Sequence, residues 1–283
     1  MGVNHQNKLL LKLLNRQIFN PTVIKHRQLD CHIATAKQCG THWIKYMLSM
    51  VLCDLYDLPK PEHIWDHKIV GRPKNLPEYK HIPQIVVTHS HPHYLLRLPR
   101  LIEMLDLPKF MVGVRDPRDI LVSAYEKGKG DYINKLFGVT HDVTFSEFLT
   151  SSIDTKKPFA DIWSLVLFFN AWGPILDKHP EHTLLMHYET LKKDTPTNLK
   201  VVCDFIGIEG VTTNIIETAI ENSSRKKMKK KIDPEDVKGD KSVNLEIRSF
   251  KQWYSPKDRD FVDSIFAKHL KYDFGYDLQN WSE

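Results

Sequence analysis

Cysteine is scarce in this sequence, and its spacing gives it no framework role. The four cysteines are Cys31, Cys39, Cys53 and Cys203. They include no C-x-x-C pair and are too few to cross-link a chain of 283 residues. We therefore predict neither a disulfide scaffold nor a cysteine-based zinc site, and we expect reduced thiols in a cytoplasmic protein.

Long apolar runs are also missing. The apolar stretch Ser164–Leu176 contains Asn170 and Pro174, and it is shorter than the about 20 residues that a membrane-spanning helix needs. The leucine-rich stretch near the N-terminus is short and interrupted by Lys12, unlike a signal peptide. We therefore predict a cytoplasmic protein without a membrane partner.

A strong charge of one sign is absent as well. Lys and Arg number 40 against 35 Asp and Glu, which gives a formal net charge of +5. That excess is too small to indicate a nucleic-acid partner, although it suits a small anionic ligand. At 283 residues the length allows one large α/β domain or two small ones.

One stretch combines a strand, a tight loop and a helix with a single glycine. In CHIATAKQCGTHWIKYML, Cys31–Leu48, β-branched residues lead into a polar loop, and apolar residues then recur at helical spacing. Such a loop aims backbone N–H groups and a helix N-terminus at one point, which favours an anion. The G-x-x-x-x-G-K-[ST] pattern of nucleotide phosphate loops is absent.

Strand and helix patterns alternate along the rest of the chain. Four runs predict strands: CHIAT, QIVVTH, FMVGVR and TLLMHY. Helices are predicted at Thr41–Leu55, Leu98–Leu105, Pro117–Lys127, Ile162–Leu176, Thr197–Ile206 and Pro256–Leu270. The alternation predicts a parallel sheet flanked by helices, with ligands outside the carboxyl ends of the strands.

Polar side chains follow these strands. Arg115 ends the third strand and Ser123 lies about two turns into the next helix, so the pair predicts a phosphate clamp, with an Arg115–Asp119 surface pair as the alternative. His89 ends the second strand and is the candidate general base. A zinc site at His89, His91 and His93 is the minority interpretation.

In this order, the segments resemble the soluble, cytosolic type of sulfotransferase that uses 3′-phosphoadenosine 5′-phosphosulfate (PAPS). KQCGTHW is similar to that family's P-K-S-G-T-T-W loop, and Thr88-His89 with LLRLP is similar to its catalytic segment. RDPRDILVSAY matches its 3′-phosphate motif nearly in full. YETLKKD, SSRKKMK and IRSFKQW are similar to its later motifs.

The resemblance implies a single α/β domain over residues 1–283, with a central parallel sheet and a P-loop-like phosphosulfate loop. Residues 1–28 would be an N-terminal extension and 226–252 a mobile lid. The alternative for the basic run in Ser223–Lys231 is a solvated face or a sorting signal.

The resemblance also implies the site. His89 is the general base, and Arg115 with Ser123 grips the 3′-phosphate. Tyr188 and Ser223 contact adenine. Seven residues of the first loop are expected at the phosphosulfate or the adenine: Lys37, Gln38, Cys39, Gly40, Thr41, His42 and Trp43. Either Arg248 or Lys251 reaches the 3′-phosphate from the lid.

The first loop departs from the family at its lysine, because Gln38 stands in the lysine's place and Lys37 precedes it. A lysine side chain is long enough to swing back, so we predict that Lys37 stabilises the leaving oxygen, with a protonated His42 as helper. The alternative is that Lys37 points to solvent and a lid cation replaces it.

The implied reaction moves a sulfuryl group from PAPS to a hydroxyl or amine of a small molecule and leaves adenosine 3′,5′-bisphosphate (PAP), with no metal required. A P-loop small-molecule kinase and a catalytically inactive nucleotide-binding protein remain as alternatives. We expect variable loops at Trp65–Tyr79 and Lys127–His141 to shape the acceptor pocket. The sequence leaves the acceptor and the oligomeric state open.

Overall fold

A computed structural model describes residues 25–98, 100–128, 133–134, 139–150, 161–231 and 250–281. Its centre is a parallel sheet of four strands: β1 Cys31–Thr35, β2 Ile85–Thr88, β3 Lys109–Val114 and β4 Thr183–His187. The strand order is β2-β1-β3-β4. All four predicted strands are confirmed, and each is joined in parallel to its neighbours.

Helices connect the strands and cover the sheet. In chain order they are α1 Thr41–Tyr56, α2 Leu101–Met104, α3 Pro117–Gly128, α4 Phe145–Thr150, α5 Ile162–Lys178, α6 Tyr188–Lys193, α7 Thr195–Ile206, α8 Thr213–Asn222, α9 Arg225–Lys229 and α10 Pro256–His269. Two short 3-10 helices span Tyr94–Arg97 and Phe250–Trp253.

The sheet separates two hydrophobic cores. Ile33 and Met111 belong to the core that includes buried side chains of α1, α7 and α8. Ala34 and Val112 belong to the core that includes buried side chains of α3, α5 and α10. Because adjacent strand residues face opposite sides, these apolar runs are buried on both faces. The predicted single α/β domain with helices on both faces is confirmed.

Two predicted segments differ from the structure. The helix predicted at Leu98–Leu105 is wrong in extent: a 3-10 helix, Tyr94–Arg97, and the single-turn α2 occupy this region. Arg100 has a left-handed backbone with φ of 63°, which is incompatible with a continuous right-handed helix. Four further helices, α4, α6, α8 and α9, were missing from the prediction.

The start of the predicted lid is helical rather than a loop. Its first residues form most of α9, where Met228 is 3% exposed and anchors the basic segment to the core beneath α1. Residues 250–252 lie in the second 3-10 helix. The remainder of the lid, 232–249, and most of the extension at 1–28 fall outside the described residues. Within the described ranges, no helix is both long and apolar enough to cross a membrane.

Candidate active site

The loop between β1 and α1 makes a tight left-handed turn. Gln38 and Gly40 have φ of 62° and 72°, and Gly40 then caps α1 by accepting the backbone N–H of Trp43 and of Ile44 at 2.9 and 3.1 Å. A Cβ on Gly40 would lie 2.9 Å from the ring of Tyr188. Glycine is therefore required both by the conformation and by the closeness of that ring.

His89 is oriented by the end of β1. Its Nδ1 lies 3.0 Å from the carbonyl oxygen of Thr35 and 3.3 Å from the Thr35 hydroxyl, which in turn lies 2.6 Å from the hydroxyl of Thr41. Because a carbonyl oxygen only accepts, Nδ1 carries the proton, and Nε2 of the neutral ring keeps its lone pair. The structure thus joins His89 and Thr41, two predicted site residues, through Thr35.

The surroundings of His89 favour its neutral form. The protein around the ring disfavours the imidazolium, and the positive charges of Lys37, Arg72 and Lys127 act in the same direction, so the pKa falls to about 4. His89 is nevertheless exposed to solvent, and we call the open surface beside it the cleft. A neutral imidazole with an outward lone pair can accept a proton from a ligand in that cleft.

Arg115 connects the first loop to α3 and α6. Its Nη1 donates to the carbonyl of Gln38 at 3.2 Å, and its Nη2 lies 3.3 Å from an Asp119 carboxylate oxygen. The guanidinium carbon lies 4.8 Å from the centre of the Tyr188 ring. The alternative Arg115–Asp119 pair therefore forms, although it is partly buried. The Nε of Arg115 is buried without a hydrogen-bond partner among the described residues, so a donor remains for a ligand.

Aromatic rings line the other side of this guanidinium. Trp43 meets Tyr188 edge-on at 6.1 Å between ring centres, and the Tyr188 hydroxyl accepts from Nη2 of Arg225 at 3.4 Å. Predicted residues from three separate motifs, Gly40, Arg115 and Tyr188, thus meet at one place. A flat base between rings and a phosphate at the guanidinium suit this set of groups.

His42 contacts Trp65, which lies in one of the loops predicted to shape the acceptor pocket. Its ring meets Trp65 edge-on at 4.2 Å, and its Nδ1 is buried without a hydrogen-bond partner among the described residues. Burial, followed by the charges of Arg72, Lys127 and Lys45 and by His89, lowers its pKa to about 2. A protonated His42 helper is therefore disfavoured physically.

The structure places the remaining predicted residues less closely. Lys37 and Ser123 are half-buried, and the charge of Lys37 reaches His89. Cys39 is buried, which raises the pKa of its thiol and makes it inert. Ser223 is fully buried and its hydroxyl has no partner among the described residues, so a contact with adenine requires the surrounding surface to open.

Of the two lid candidates, the structure describes only Lys251. Lys251 lies in the 3-10 helix Phe250–Trp253, where its carbonyl oxygen accepts from Arg259 at 3.3 Å. Arg248 lies outside the described residues. The choice between them as a 3′-phosphate ligand stays a prediction.

The neighbouring histidines have other partners than a metal. His93 accepts the backbone N–H of Leu95 at 3.3 Å and so caps a 3-10 helix, and His91 packs against Phe168. In the described part of the chain, no cluster of three or more histidine, cysteine or acidic side chains could hold a metal ion. The zinc site of the minority interpretation, at His89, His91 and His93, is therefore not formed among the described residues.

Three cations at the site were absent from the predicted residues: Arg72, Lys127 and Arg225. The first two lie within the loops predicted to hold the acceptor, and Arg225 lies in the basic run. The signal that could have found them is their position in segments predicted to border the cleft. Composition alone could not select them among 40 basic residues.

Comparison with known proteins finds relatives of this chain among the sulfotransferases. A family model described as the sulfotransferase domain matches residues 28–273. Flavonol 4′-sulfotransferase of Flaveria chlorifolia is 26% identical over 246 residues, which cover 80% of this chain and 71% of that protein. Cytosolic sulfotransferase 14 of Arabidopsis thaliana is 26% identical over 192 residues, covering 63% of this chain but only 54% of its own length.

A solved structure shares the fold. The mouse sulfotransferase SULT7A1 complexed with PAP superposes with a TM-score of 0.59 at 19% identity, covering 92% of this chain and 89% of that one. At this identity the likeness establishes the α/β architecture. The positions of ligand-binding groups in this chain rest on its own geometry.

Proposed function

This chain belongs to the sulfotransferase domain family, and on that premise we propose that His89 is the general base of sulfuryl transfer from PAPS. The enzyme is a PAPS-dependent sulfotransferase that acts on small-molecule acceptors. The observation that carries the proposal for His89 is the contact between its Nδ1 and the Thr35 carbonyl, 3.0 Å, which presents Nε2 to the cleft beside the first loop.

The groups around the first loop fit the donor. Gly40 brings the start of α1 against Tyr188 with no room for a side chain, and the buried Nε of Arg115 has no partner in the part of the chain that the structure describes. We assign Arg115, with Ser123, to the 3′-phosphate, and Trp43 with Tyr188 to the adenine. The N-terminus of the 16-residue helix α1 adds positive potential where the 5′-phosphosulfate would lie.

The donor, when bound, supplies the sulfuryl group, and negative charge develops on the bridging oxygen from which that group departs. His89 accepts the proton of the acceptor hydroxyl or amine at Nε2, while Thr35 holds Nδ1 and with it the ring direction. Lys37 stabilises the leaving oxygen from the half-buried position at which its charge reaches His89. The residues thus position and neutralise charge, which are the main requirements of an in-line transfer.

Substrate and location are proposed at a coarser level. The acceptor is a small molecule with a hydroxyl or amine, held between the loop that carries Trp65 and the end of α3 near Lys127. One relative is described as a cytosolic sulfotransferase, and we propose a cytoplasmic location for this protein. We propose no nucleic-acid or membrane partner.

Transfer of ³⁵S from labelled PAPS to pooled hydroxyl and amine acceptors tests this function. The wild-type chain should label at least one acceptor in the absence of added metal, and His89→Ala should label it about 10²–10⁴ times more slowly. His93→Asn is the matched control, because asparagine can keep the cap of the 3-10 helix that His93 provides. Labelling by His89→Ala at close to the wild-type rate would remove His89 from the mechanism.

A further inference from the structure

Arg72 follows a backbone contact that lengthens the sheet beside β2. Gly71 forms a parallel bridge with Val86: its N–H donates to the Ile85 carbonyl at 2.9 Å, and its own carbonyl accepts from Val87 at 3.0 Å. The next residue, Arg72, is therefore level with Val87 in a parallel register. This places Arg72 near the carboxyl end of β2, where His89 begins the cleft.

The backbone around Arg72 is fixed. Its N–H donates to the carbonyl of Asn75 at 2.8 Å, and its carbonyl accepts from the N–H of Asn75 at 2.9 Å. A Cβ on Gly71 would lie 2.6 Å from the carbonyl oxygen of Asn75, so the turn closes tightly on the glycine. The backbone that carries the guanidinium is thus held in a short, closed turn.

The side chain of Arg72 lacks the partners that other arginines have. Arg118 pairs with Asp116 at 2.7 Å, and Arg115 pairs with Asp119. Arg72 is half-buried, and within the described ranges it forms no ion pair or side-chain hydrogen bond. Burial lowers its pKa, the direction expected for a cation that loses water without gaining a counter-charge. A half-buried cation without a counter-charge is a natural position for an anion.

Several groups of the cleft sense this charge. It lowers the pKa values of His42 and His89 after the effect of burial, and it does the same for the buried Lys45 and for His67. His42 lies in the first turn of α1, directly after the loop expected to hold the phosphosulfate. Arg72 therefore lies close enough to act electrostatically on both the start of α1 and the base.

We propose that the guanidinium of Arg72 binds the sulfonate oxygens of PAPS and supplies, opposite the first loop, the positive charge that Gln38 does not provide. This inference rests on the proposed function. Attack requires the acceptor oxygen within about 3–3.5 Å of the sulfur, so a cation beside the base is also beside the sulfonate. The planar fork of arginine matches two oxygens of a tetrahedral anion.

The charges and bonds balance without further reagents. The acceptor oxygen or nitrogen forms the new bond to sulfur, and its proton goes to Nε2 of His89. The bond between sulfur and the bridging oxygen breaks, and its electron pair stays on the 5′-phosphate of PAP, near Lys37. Arg72 keeps its proton throughout and holds the non-bridging oxygens of the transferred group.

Binding of PAPS and PAP in the absence of acceptor tests the proposal without relying on turnover. The two ligands differ by the sulfonate, so Arg72→Met should weaken PAPS about 10- to 100-fold, the range for charge-assisted hydrogen bonds, while PAP binding changes less than about threefold. Arg72→Lys should give an intermediate loss, because it keeps the charge but not the fork. Lys74→Met, an exposed cation in the same turn, is the matched control and should leave both affinities unchanged.

A second readout is the pKa of His89, followed by NMR in the same variants. The cations that act on this ring are Lys37, Arg72 and Lys127, so Arg72→Met should raise its pKa while Lys74→Met should not. Equal losses for PAPS and PAP, or no loss for either, would overturn the proposal while leaving the sulfotransferase assignment in place. Failure of the wild-type chain to bind either nucleotide would overturn both.

Discussion

The two sides of His89 are built differently. On the donor side, defined by Gly40, Trp43, Arg115, Tyr188 and Arg225, the cations are held by protein groups: Arg115 by the Gln38 carbonyl and Asp119, and Arg225 by the Tyr188 hydroxyl. We call the other side, defined by His42, Trp65 and Arg72, the transfer side. Here the rings of His42 and Trp65 pack edge-on, and the buried His42 Nδ1 and Trp65 Nε1 have no hydrogen-bond partner among the described residues.

This difference determines which side is preformed before the donor binds. A preformed donor side costs little reorganisation when PAPS binds, so affinity comes from fixed contacts. On the transfer side, Arg72 and the lone pair of His89 have no partners among the described residues for a ligand to displace. Charge on this side is therefore available for the sulfonate and the acceptor, which change during the reaction.

The largest expected effect lies between the two sides, at His89. His89→Ala should lower kcat by about 10²–10⁴, the usual contribution of a positioned base, while PAP affinity stays near the wild-type value. Steady-state rates with any labelled acceptor, together with PAP titration, measure both quantities. A parallel loss of PAP affinity would place His89 on the donor side instead and erase the distinction.

Lys37 gives the next largest effect. Removing a preorganised charge from a leaving group costs on the order of 10²–10³ in kcat, so Lys37→Met should be slow in single-turnover reactions with preformed PAPS complex. Gln38→Met is the matched control, since it changes the neighbouring loop residue without removing a charge. If Lys37→Met is silent while Gln38→Lys raises activity, another cation stabilises the leaving oxygen.

Arg115 tests the donor side directly. Arg115→Ala should weaken PAPS on the order of 100-fold, as expected for truncating one partner of a partly buried charge pair. Adenosine 5′-phosphosulfate, which lacks the 3′-phosphate, should bind weakly to both forms, so the preference for PAPS should disappear. Wild-type protein that binds the two sulfated nucleotides equally contradicts the assignment of Arg115 to the 3′-phosphate.

Gly40→Ala tests how closely the donor side is packed. Alanine at φ of 72° costs roughly 1–2 kcal/mol of backbone strain, and its Cβ would lie 2.9 Å from the Tyr188 ring. We expect a melting temperature lower by a few degrees and weaker PAP binding. Gly207→Ala is the control, because it shares a left-handed backbone with φ of 93° but has open space around its Cβ; both variants should be destabilised, and only Gly40→Ala should bind PAP less tightly.

The smallest effect is the acid dependence of stability. Burial lowers the pKa of His32 to about 4, and the pKa of His89 also falls to about 4. Because the folded state binds these protons less readily than the unfolded chain, their contribution is fully present above pH 6.5 and is lost as the pH falls toward 4. Urea unfolding at pH 7 and pH 5 should give a lower free energy of unfolding at pH 5, and a saturating amount of PAP should reduce the part due to His89, since bound anion favours its protonation.

The strands and the donor side could be predicted from the sequence because their signals are local. Buried parallel strands are short β-branched runs, and the motif around Arg115 and Ser123 is continuous in the chain. The helix predicted at Leu98–Leu105 failed because helical spacing of leucines does not report the left-handed backbone of Arg100. Helix α8 is amphipathic, but its apolar face was not distinguished from loop sequence.

Arg72 was not predicted as a site residue for a different reason. Its position depends on the bridge between Gly71 and Val86. Because these two residues are separated in the chain, no local sequence pattern predicts their contact. The same holds for the pair of His42 and Trp65. Sequence motifs therefore describe the donor side, which has a repeated chemistry, better than the transfer side, which the tertiary structure assembles.

Calorimetric titration of the wild-type chain with PAP, and then with ATP and Mg²⁺, tests the central claim most directly. A sulfotransferase donor side built on Arg115 predicts saturable one-to-one binding of PAP without metal and at least tenfold weaker binding of ATP with Mg²⁺, because ATP lacks the 3′-phosphate that carries a charge-assisted contact. Tighter binding of ATP with Mg²⁺ than of PAP would contradict the account.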